Sequence, residues 1–508
     1  MKPTLLQRAM KRLGFVPERR NFNAAAVNRL TSDWVTGTLS GDSQLRNQLE
    51  LLRARSRDLR DNNEYAQKFL HLLKNNVLGE CGLTLRNKAK DPDKFQGGKM
   101  VPGMLDVFAN TLIEERWWQW CQRGNCEVTG RLSFNDVQRV VLETAAVDGE
   151  TLGRYVRGFD NRSGFALQLI EADVLDVQKN EKFRGDSEIR MGVEVDMWRR
   201  PRAYHLRKNN PNDTGFMAYS GREWERIPAS DILHLFLPRR IADTRGLPWL
   251  VTAATGLKML GGYEEAEVVA ARTAAAKMAF LTEKGDGPAD YKGESDGHVV
   301  TMDAEPGHIE QLPRGLGVEV VDWNHPNAGY QSFMKTRLRG IAAGLGCSYN
   351  LLADDMESVN FSSGRLGQAE PRELYKAIRR WLGQHFADLV FAEWLQWELM
   401  SGKIALPVAK FAKFNSPNWG SRGWPYIQPV DDAKAAIMRI NSGLSSLTKE
   451  LANSGIEDRD EHLDEIAADK EALESRDLEL PEIFGAAEKM KAEANAENKA
   501  VKTGAETE

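Results

Sequence analysis

The chain has 508 residues, of which 42% are hydrophobic and 13 are tryptophan, enough apolar surface for large buried cores. Its net charge of -5 and pI near 6.0 argue against a protein that wraps nucleic acid through a strong basic excess. The four cysteines are too scattered for a disulfide framework, and Cys121 with Cys126 lacks the second Cys or His pair of a zinc site. We therefore expect a protein of a reducing cytoplasm that uses no metal or cofactor.

The N-terminal 88 residues have apolar side chains at helical spacing, and this pattern ends at Gly79 and Gly82 before a strand-like LTLR. The opening stretch MKPTLLQRAMKRLGFVPERR is basic and amphipathic but lacks the continuous apolar core of a signal peptide. No window offers the roughly twenty apolar residues that a membrane-spanning helix needs. The sequence predicts a helical N-terminal part and no membrane contact.

Trp117, Trp118 and Trp120 lie close together in the next helical block. Such a cluster could stack on nucleic-acid bases, but a place in a hydrophobic core is the more frequent role. From about 129 to 237 the pattern alternates, with runs such as FALQLIEADVLDV and DILHLFLP between Gly- and Asn-rich turns. This predicts a β-rich α+β domain in which His205 and His234 are structural, hydrogen-bonded residues.

Two helical runs rich in small residues flank an acidic segment. The first, RGLPWLVTAATGLKMLGGYEEAEVVAARTAAAKMAF, would form a rod of roughly 45 Å, which cannot fill a core alone. The second is GYQSFMKTRLRGIAAGLG, and the segment between them has short β-like pieces joined by turns. Both rods therefore need neighbouring helices.

The stretch YNLLADDMESVNFSSG follows the second rod and precedes a long apolar helix. We expect Ser362 or Ser363 to cap this helix, with Gly364 relaxing the turn. Beyond a Pro/Gly-rich connection, short capped helices follow, one opened by Ser446 or Thr448, and the Ala/Lys/Glu-rich tail has too little apolar surface to fold alone.

The common catalytic motifs are either absent from the sequence or lie between elements that do not suit catalysis. The sequence has no G-x-x-x-x-G-K-[ST], H-E-x-x-H or C-x-x-C. GESDG fits the G-x-S-x-G pattern around Ser295, but its polar flank and following strand-like HVVTM are the wrong elements for a nucleophile elbow. His385 lies about twenty positions beyond the serines of NFSSGR, too far along a helix to act as their base. The sequence thus predicts a protein that is not an enzyme.

The order of these pieces resembles the portal proteins of lambda-like tailed bacteriophages. The matching stretches are RARSRDLRDN, DILHLFLPRRIADTRGLPWL, LRGIAAGLGCSYNLLADDMESVNFSSGR, and WPYIQPVDDAKA with GLSSLTKELANSGIEDRDE. They run over nearly the whole chain in the family's order. Asp-Asp at 431–432, where the family tends to have Asp-Pro, affects only a local turn.

The resemblance implies an α+β portal fold with wing, long-helix stem, small β-containing clip and helical crown, assembled as a ring. The implied parts are the N-terminal region and wing (1–246), first stem helix (247–280), clip (281–324), second stem helix (325–347), tunnel loop (348–364), long wing helix (365–402), wing connection (403–430), helical crown (431–480) and a disordered tail (481–508).

The resemblance also implies two groups of functional residues. Candidates for contact with DNA in the channel are Lys335, Arg337, Arg339, Asn360, Phe361, Ser362, Ser363 and Arg365, although a solvated helix face is as frequent a role for any one of the basic four. Candidates for docking partners on the clip are the carboxylates Glu283, Asp286, Asp290, Glu294, Asp296, Asp303, Glu305 and Glu310.

The implied function is a ring, usually of twelve subunits, at one capsid vertex, through which double-stranded DNA is packaged and ejected without sequence specificity. Its implied partners are other copies of the chain, the large terminase, a head-completion adaptor, and the major capsid and scaffolding proteins. We expect it in the virion, and in the host cytoplasm during assembly. The alternatives are a DNA-translocating ATPase, a capsid-associated serine hydrolase or protease, and a scaffold with no DNA contact; missing motifs disfavour the first two.

Overall fold

The computed structural model describes residues 37–476 except 93, 97–98, 102, 184–186, 213–222, 276–278, 284–315, 321–328, 358, 421–422, 425–428, 455 and 457–458. It is a mixed helix and sheet structure, as the sequence predicts. The α-helices are α1 (Gly41–Arg46), α2 (Leu49–Asn62), α3 (Glu64–Val77), α4 (Val107–Cys121), α5 (Phe134–Asp148), α6 (Val251–Ala275), α7 (Tyr330–Leu345), α8 (Tyr349–Ala353), α9 (Phe361–Leu382), α10 (Asp388–Met400), α11 (Phe411–Phe414), α12 (Pro429–Asn441), α13 (Leu447–Asn453) and α14 (Arg459–Glu474).

The strands are β1 (Thr84–Asn87), β2 (Lys94–Gln96), β3 (Lys99–Val101), β4 (Glu150–Arg157), β5 (Phe165–Ile170), β6 (Glu181–Lys182), β7 (Glu188–Arg190), β8 (Val193–Val195), β9 (Pro201–Arg207), β10 (Trp224–Pro228), β11 (Ile232–Phe236), β12 (Ala279–Glu283), β13 (Leu316–Val320) and β14 (Pro417–Gly420). They form several small antiparallel sheets. One has three strands in the order β11-β4-β5 and another has five in the order β10-β9-β8-β7-β6. Strand β1 pairs with β14, which ties the N-terminal part to the C-terminal part.

Helix α5 lies inside the region that the sequence predicts as alternating strands. Its start is fixed by a capping box, in which Ser133 accepts a hydrogen bond from the backbone N–H of Asp136 and the Asp136 carboxylate accepts one from Ser133. It ends at Gly149, whose φ of 89° suits glycine. This helix was not predicted individually, although S-F-N-D is a helix start followed by apolar residues at helical spacing, and its presence agrees with an α+β region.

The tryptophan cluster is core, with one member excepted. The Trp117 ring lies 4.8 Å from that of Trp120 and 5.0 Å from that of Trp394 on α10, centroid to centroid. Trp117 and Trp120 are buried, whereas Trp118 is 66% exposed. The large rings therefore join α4 to α10.

A buried ionic cluster around Glu150 holds four parts of the chain together. Glu150 is fully buried and accepts hydrogen bonds from Arg53 on α2, from Arg245 (Nε, 2.8 Å) and from the Gly246 backbone (3.0 Å). His234 on β11 lies 3.0 Å from the same carboxylate, so its predicted structural role is confirmed.

The arginines of this cluster have further backbone partners, as buried charges require. Arg245 donates to the carbonyls of Leu175 (3.0 Å) and Met191 (2.7 Å). Burial alone would raise the pKa of the Glu150 carboxyl, but the positive charges of Arg245 and Arg53 hold it well below its usual range. The two motifs R-A-R-S-R-D and T-R-G-L-P-W thus meet at one carboxylate.

Close backbone packing explains the glycine of the second motif. A Cβ at Gly246 would lie 2.0 Å from the Gly149 carbonyl oxygen, and one at Gly149 would lie 2.4 Å from the Leu247 carbonyl carbon. The two chain segments can approach this closely only as glycines. The entry to α6 is therefore fixed against the start of β4.

Helices α9 and α10 form one long helix from Phe361 to Met400, joined by a π-helical turn at Gly383–Ala387. It is anchored on α3, because Arg379 donates to the last carbonyls of that helix, at Val77 (2.8 Å) and Asn76 (2.9 Å). The predicted long wing helix over 365–402 is thus continuous but starts earlier.

The C-terminal helices α12 to α14 lie where the sequence predicts a crown over 431–480. Ser446 caps α13 by accepting a hydrogen bond from the Lys449 backbone, as predicted. In the sequence, Gly455 is suited to end this helix and Asp458 with Glu461 to cap the next one, but 455 and 457–458 lie outside the described residues.

We expect the substitution Glu150→Gln to lower the free energy of unfolding by about 3–5 kcal/mol, because it leaves buried arginine charges without their counterion. The measurement is urea denaturation of the unassembled chain, followed by tryptophan fluorescence. The matched control is Glu223→Gln, which breaks an exposed pair with Lys208 (2.7 Å) and should leave the free energy of unfolding nearly unchanged because water screens the pair. Equal shifts for the two variants would contradict the prediction.

Candidate functional site

The candidate site is the pair of helices α6 and α7 with the segment that follows α7. The sequence predicts these helices over 247–280 and 325–347, but they span only Val251–Ala275 and Tyr330–Leu345. Ala279–Glu283 is strand rather than helix, because it pairs along its length with Leu316–Val320.

The two halves of α6 have different surroundings. The first half packs against α2 and α7 through buried Ala253, Leu257 and Leu260. Beyond Leu260 no described residue of α6 is buried, and Val268 and Val269 are 58% and 54% exposed. The second half of the rod therefore carries apolar side chains that the described residues of this subunit leave exposed.

Helix α7 packs its apolar face against α6. A Cβ at Gly256 would lie 3.3 Å from Cγ1 of Ile341, so the helices cross closely at this glycine. Further along, the Tyr263 ring lies 5.9 Å from that of Tyr330 and 4.9 Å from that of Phe333. The small residues of the two rods thus serve close helix packing within the subunit.

The three basic candidates for DNA contact on α7 do not lie on one face of the helix. Lys335 and Arg339 are four residues apart and share one helix face, whereas Arg337 lies on another side, with its Nη2 3.7 Å from a Cβ built at Gly256. The Arg339 guanidinium lies 5.3 Å from the centroid of the Tyr349 ring. The structure brings Arg339 to α8 and Lys335 to the segment just after it, and separates Arg337 from both.

Residues 354–360, which we call the carboxylate loop, join α8 to α9. The sequence predicts a longer loop over 348–364, but its two ends are helical, in α8 and in the first turn of α9. Asp354 has a φ of 51°, an uncommon value for a residue other than glycine. The loop is therefore short and tightly turned.

Ion pairs hold the carboxylate loop to two helices. Lys335 Nζ lies 2.9 Å from Glu357 and 3.4 Å from Asp355, and Lys68 Nζ on α3 lies 2.5 Å from Asp354. The Tyr349 hydroxyl donates to Asp355 at 2.6 Å. This hydrogen bond, with the charge of Lys335, lowers the pKa of the Asp355 carboxyl, and the bond to Glu357 raises the pKa of Lys335.

The serines of NFSSGR lie within α9 and do not precede it. The helix begins at Phe361, and the Gly364 N–H donates to the Asn360 carbonyl at 2.9 Å. The prediction that Ser362 or Ser363 caps the helix was wrong, because Asn360 holds the position before the first turn. The side chains of Phe361, Ser362, Ser363 and Arg365 lie outside the described part of the structure, so their contact with DNA stays a prediction.

The clip candidates fall mainly outside the described residues. Glu283 is the last residue of β12, and its register partner is Leu316, the first residue of β13. The remaining candidates, Asp286, Asp290, Glu294, Asp296, Asp303, Glu305 and Glu310, belong to the gap at 284–315. The segment 284–315 is thus inserted between the paired ends of two antiparallel strands.

Within the part of the chain that the structure describes, no helix is long and apolar enough to cross a bilayer. Nor do those residues hold a group of three His, Cys, Asp or Glu side chains placed for a metal. The Cys126 thiol is buried, which raises its pKa to about 12. The GESDG segment around Ser295 lies in the undescribed gap.

Comparisons with known proteins agree on one family. The family model described as "Phage portal protein, lambda family" matches residues 27–379. The probable portal protein of Halomonas phage phiHAP-1 is 33% identical over 474 residues, 92% of this chain and 89% of that protein. Portal protein B of Escherichia phage lambda is 21% identical over 440 residues, covering 79% and 80%. The neck of an empty GTA particle, solved with C6 symmetry, has a TM-score of 0.43 and 12% identity over 80% of this chain and 93% of that chain.

The family model and the curated relatives all belong to one class, the phage portal proteins. The family match spans well over half of the sequence, so the chain belongs to the lambda family of phage portal proteins. The resemblance seen in the sequence is confirmed, and with it a structural rather than a catalytic role in the phage particle.

Sequence reasoning missed Lys68 and Tyr349 as members of the site. Tyr349 opens the YNLLADD stretch that was read as loop, and only helix α8 directs its hydroxyl to Asp355. Lys68 lies 286 residues before its partner Asp354, and no local pattern indicates such a contact.

We expect the substitution Tyr349→Phe to speed amide hydrogen exchange in the carboxylate loop about fivefold, since a lost hydrogen bond of about 1 kcal/mol favours local opening. The control is Tyr375→Phe, because the Tyr375 hydroxyl is buried without a hydrogen-bond partner among the described atoms. That control should leave exchange in the loop unchanged. Unchanged exchange in the Tyr349→Phe variant would contradict the prediction.

Proposed function

We propose that copies of this chain assemble head to tail into a ring of twelve subunits at one capsid vertex, with a channel that double-stranded DNA crosses during packaging and ejection. Membership of the portal family supports the proposal. The observation that carries the ring is the uncovered second half of α6, with Val268 and Val269 exposed. Identical subunits with complementary surfaces close into a ring when the rotation between neighbours permits.

The exposed valines are suited to contact between subunits. Full burial of a valine side chain stabilises by about 1.5–3 kcal/mol, and a ring repeats each contact at every interface. Ala270 follows on the same helix and is only half-buried within the subunit, and its small side chain suits close contact with a neighbouring helix. A neighbouring subunit would cover this part of the rod.

We expect the double substitution Val268→Asp with Val269→Asp to prevent ring formation while the body stays folded, because it would place carboxylates in an apolar contact. Val268→Thr with Val269→Thr, which keeps the shape, should weaken assembly less. The exposed Thr252→Asp on the same helix is the control and should assemble normally. The measurement is mass by multi-angle light scattering, with circular dichroism as the folding check. Rings of unaltered mass in the aspartate variant would refute this contact.

The proposed channel should hold DNA weakly and without regard to sequence. Each phosphate that a lysine or arginine neutralises adds affinity, which would slow passage. Lys335 is already paired with carboxylates, and the Arg339 guanidinium lies over the Tyr349 ring. These contacts support a role for α7 and the carboxylate loop as a guide for DNA.

We propose further that the clip, 281–324, docks the large terminase during packaging and the head-completion adaptor afterwards. Its carboxylates would repel DNA phosphate and attract basic partner surfaces, so binding should weaken with salt. The major capsid and scaffolding proteins would contact the body of the ring. Assembly would take place in the host cytoplasm.

We expect replacement of 284–315 by Asn-Gly to abolish terminase binding while rings still form. Glu283 and Leu316 are paired antiparallel, so a two-residue turn can close the hairpin without moving the stem. A length-matched control, in which the clip carboxylates become amides, should bind terminase more weakly and with less salt dependence. The measurement is surface plasmon resonance on purified rings. Full terminase binding by the shortened ring would make this assignment wrong.

A further inference from the structure

The carboxylate loop presents its acidic groups to lysines on two different helices. Asp354 pairs with Lys68 of α3, while Asp355 and Glu357 pair with Lys335 of α7. Helix α8 packs against both α3 and α7, so the two lysines converge on one short segment of chain.

The pairs made by Asp354 and Glu357 are open to water, unlike the cluster at Glu150, whereas the Asp355 side chain is 17% exposed. The Lys68 and Lys335 side chains are 32% and 26% exposed, and those of Asp354 and Glu357 are 70% exposed. Exposed ion pairs contribute little stability and exchange readily with ions in solution. Another anion that reaches the loop can therefore replace a carboxylate at either lysine.

We propose that Lys68 and Lys335 form a binding site for DNA phosphate that the carboxylate loop occupies when no DNA is present. Carboxylate and phosphate oxygens compete for the same ammonium groups, so a phosphate gains a contact only by displacing the loop. The proposal rests on the proposed function, since it requires the loop to meet DNA in the channel. The loop would thus lower the affinity for DNA at the site itself.

Asp354 turns the chain at the start of the carboxylate loop. Its φ of 51° lies in the left-handed region, which Asp adopts more readily than most other residues. The Tyr349 hydroxyl adds a hydrogen bond at Asp355. Polar contacts of the loop's own carboxylates therefore hold it against α3, α7 and α8.

The test uses purified rings and a fluorescently labelled duplex of 60 base pairs, with binding measured by anisotropy over a range of salt concentrations. Asp355→Asn with Glu357→Gln keeps the side-chain shapes and frees Lys335. We expect at least about threefold tighter binding, and a slope of log affinity against log salt that is steeper by about 0.9 for each phosphate newly contacted. Adding Lys335→Gln to this variant should return both quantities to their original values.

The added Lys335→Gln substitution distinguishes competition for this lysine from a general repulsion between the loop carboxylates and DNA. If the threefold gain persists in the Lys335→Gln background, or if no gain occurs, the proposal is wrong. Glu223→Gln with Glu225→Gln removes the same charge from two paired glutamates in another part of the fold and should not change binding. An equal gain in that control would also overturn the proposal.

A chemical readout separates this proposal from the proposed ring. The acetylation rate of the Lys335 amine, followed by mass spectrometry, should rise severalfold when Asp355 and Glu357 become amides, and it can be measured on the unassembled chain. In rings of the amide variant, added duplex should protect Lys335 again. Failure of the unaltered protein to form rings would refute the proposed function alone. The masked site would be refuted if Lys335 were acetylated as fast in the unaltered chain as in the amide variant, or if duplex did not slow its acetylation in rings of that variant.

Discussion

The buried carboxylate of Glu150 is the contact on which the packing of α2, two strands and the entry to α6 depends. It joins α2, through Arg53, to β4, β11 and the segment that leads into α6. A charge with no access to water must keep all of its partners, so these elements cannot shift independently. The direction of α6 relative to β4 is therefore set at one buried side chain.

The same protein uses ion pairs in two opposite ways. Around Glu150, desolvation makes each pairing hard to break, which favours a single arrangement. At the carboxylate loop the pairs are exposed and easily exchanged. The two kinds of pair start from helices that follow each other directly in the chain: α2 supplies Arg53 to the buried cluster, and α3 supplies Lys68 to the exposed loop.

Much of the fold could be predicted from the sequence because the signals are local. The small-residue rods, the Trp117 core and the Ser446 cap follow from spacing and residue type. Helix α5 and the strand at 279–283 were missed, the first because its capping signal was overlooked and the second because strand pairing across a long insertion decides it. The loop ion pairs could not be predicted, since Lys68 and Asp354 meet only in the folded chain.

The register of β12 and β13 has a consequence for how such proteins diversify. Because the inserted segment begins and ends at neighbouring positions, its length and sequence can vary without altering the distance between the two flanking strands. A phage lineage could exchange this segment as a unit while the helices on either side of it stay unchanged. Recombination between related phages would need only two crossover points, both within a single pair of strands.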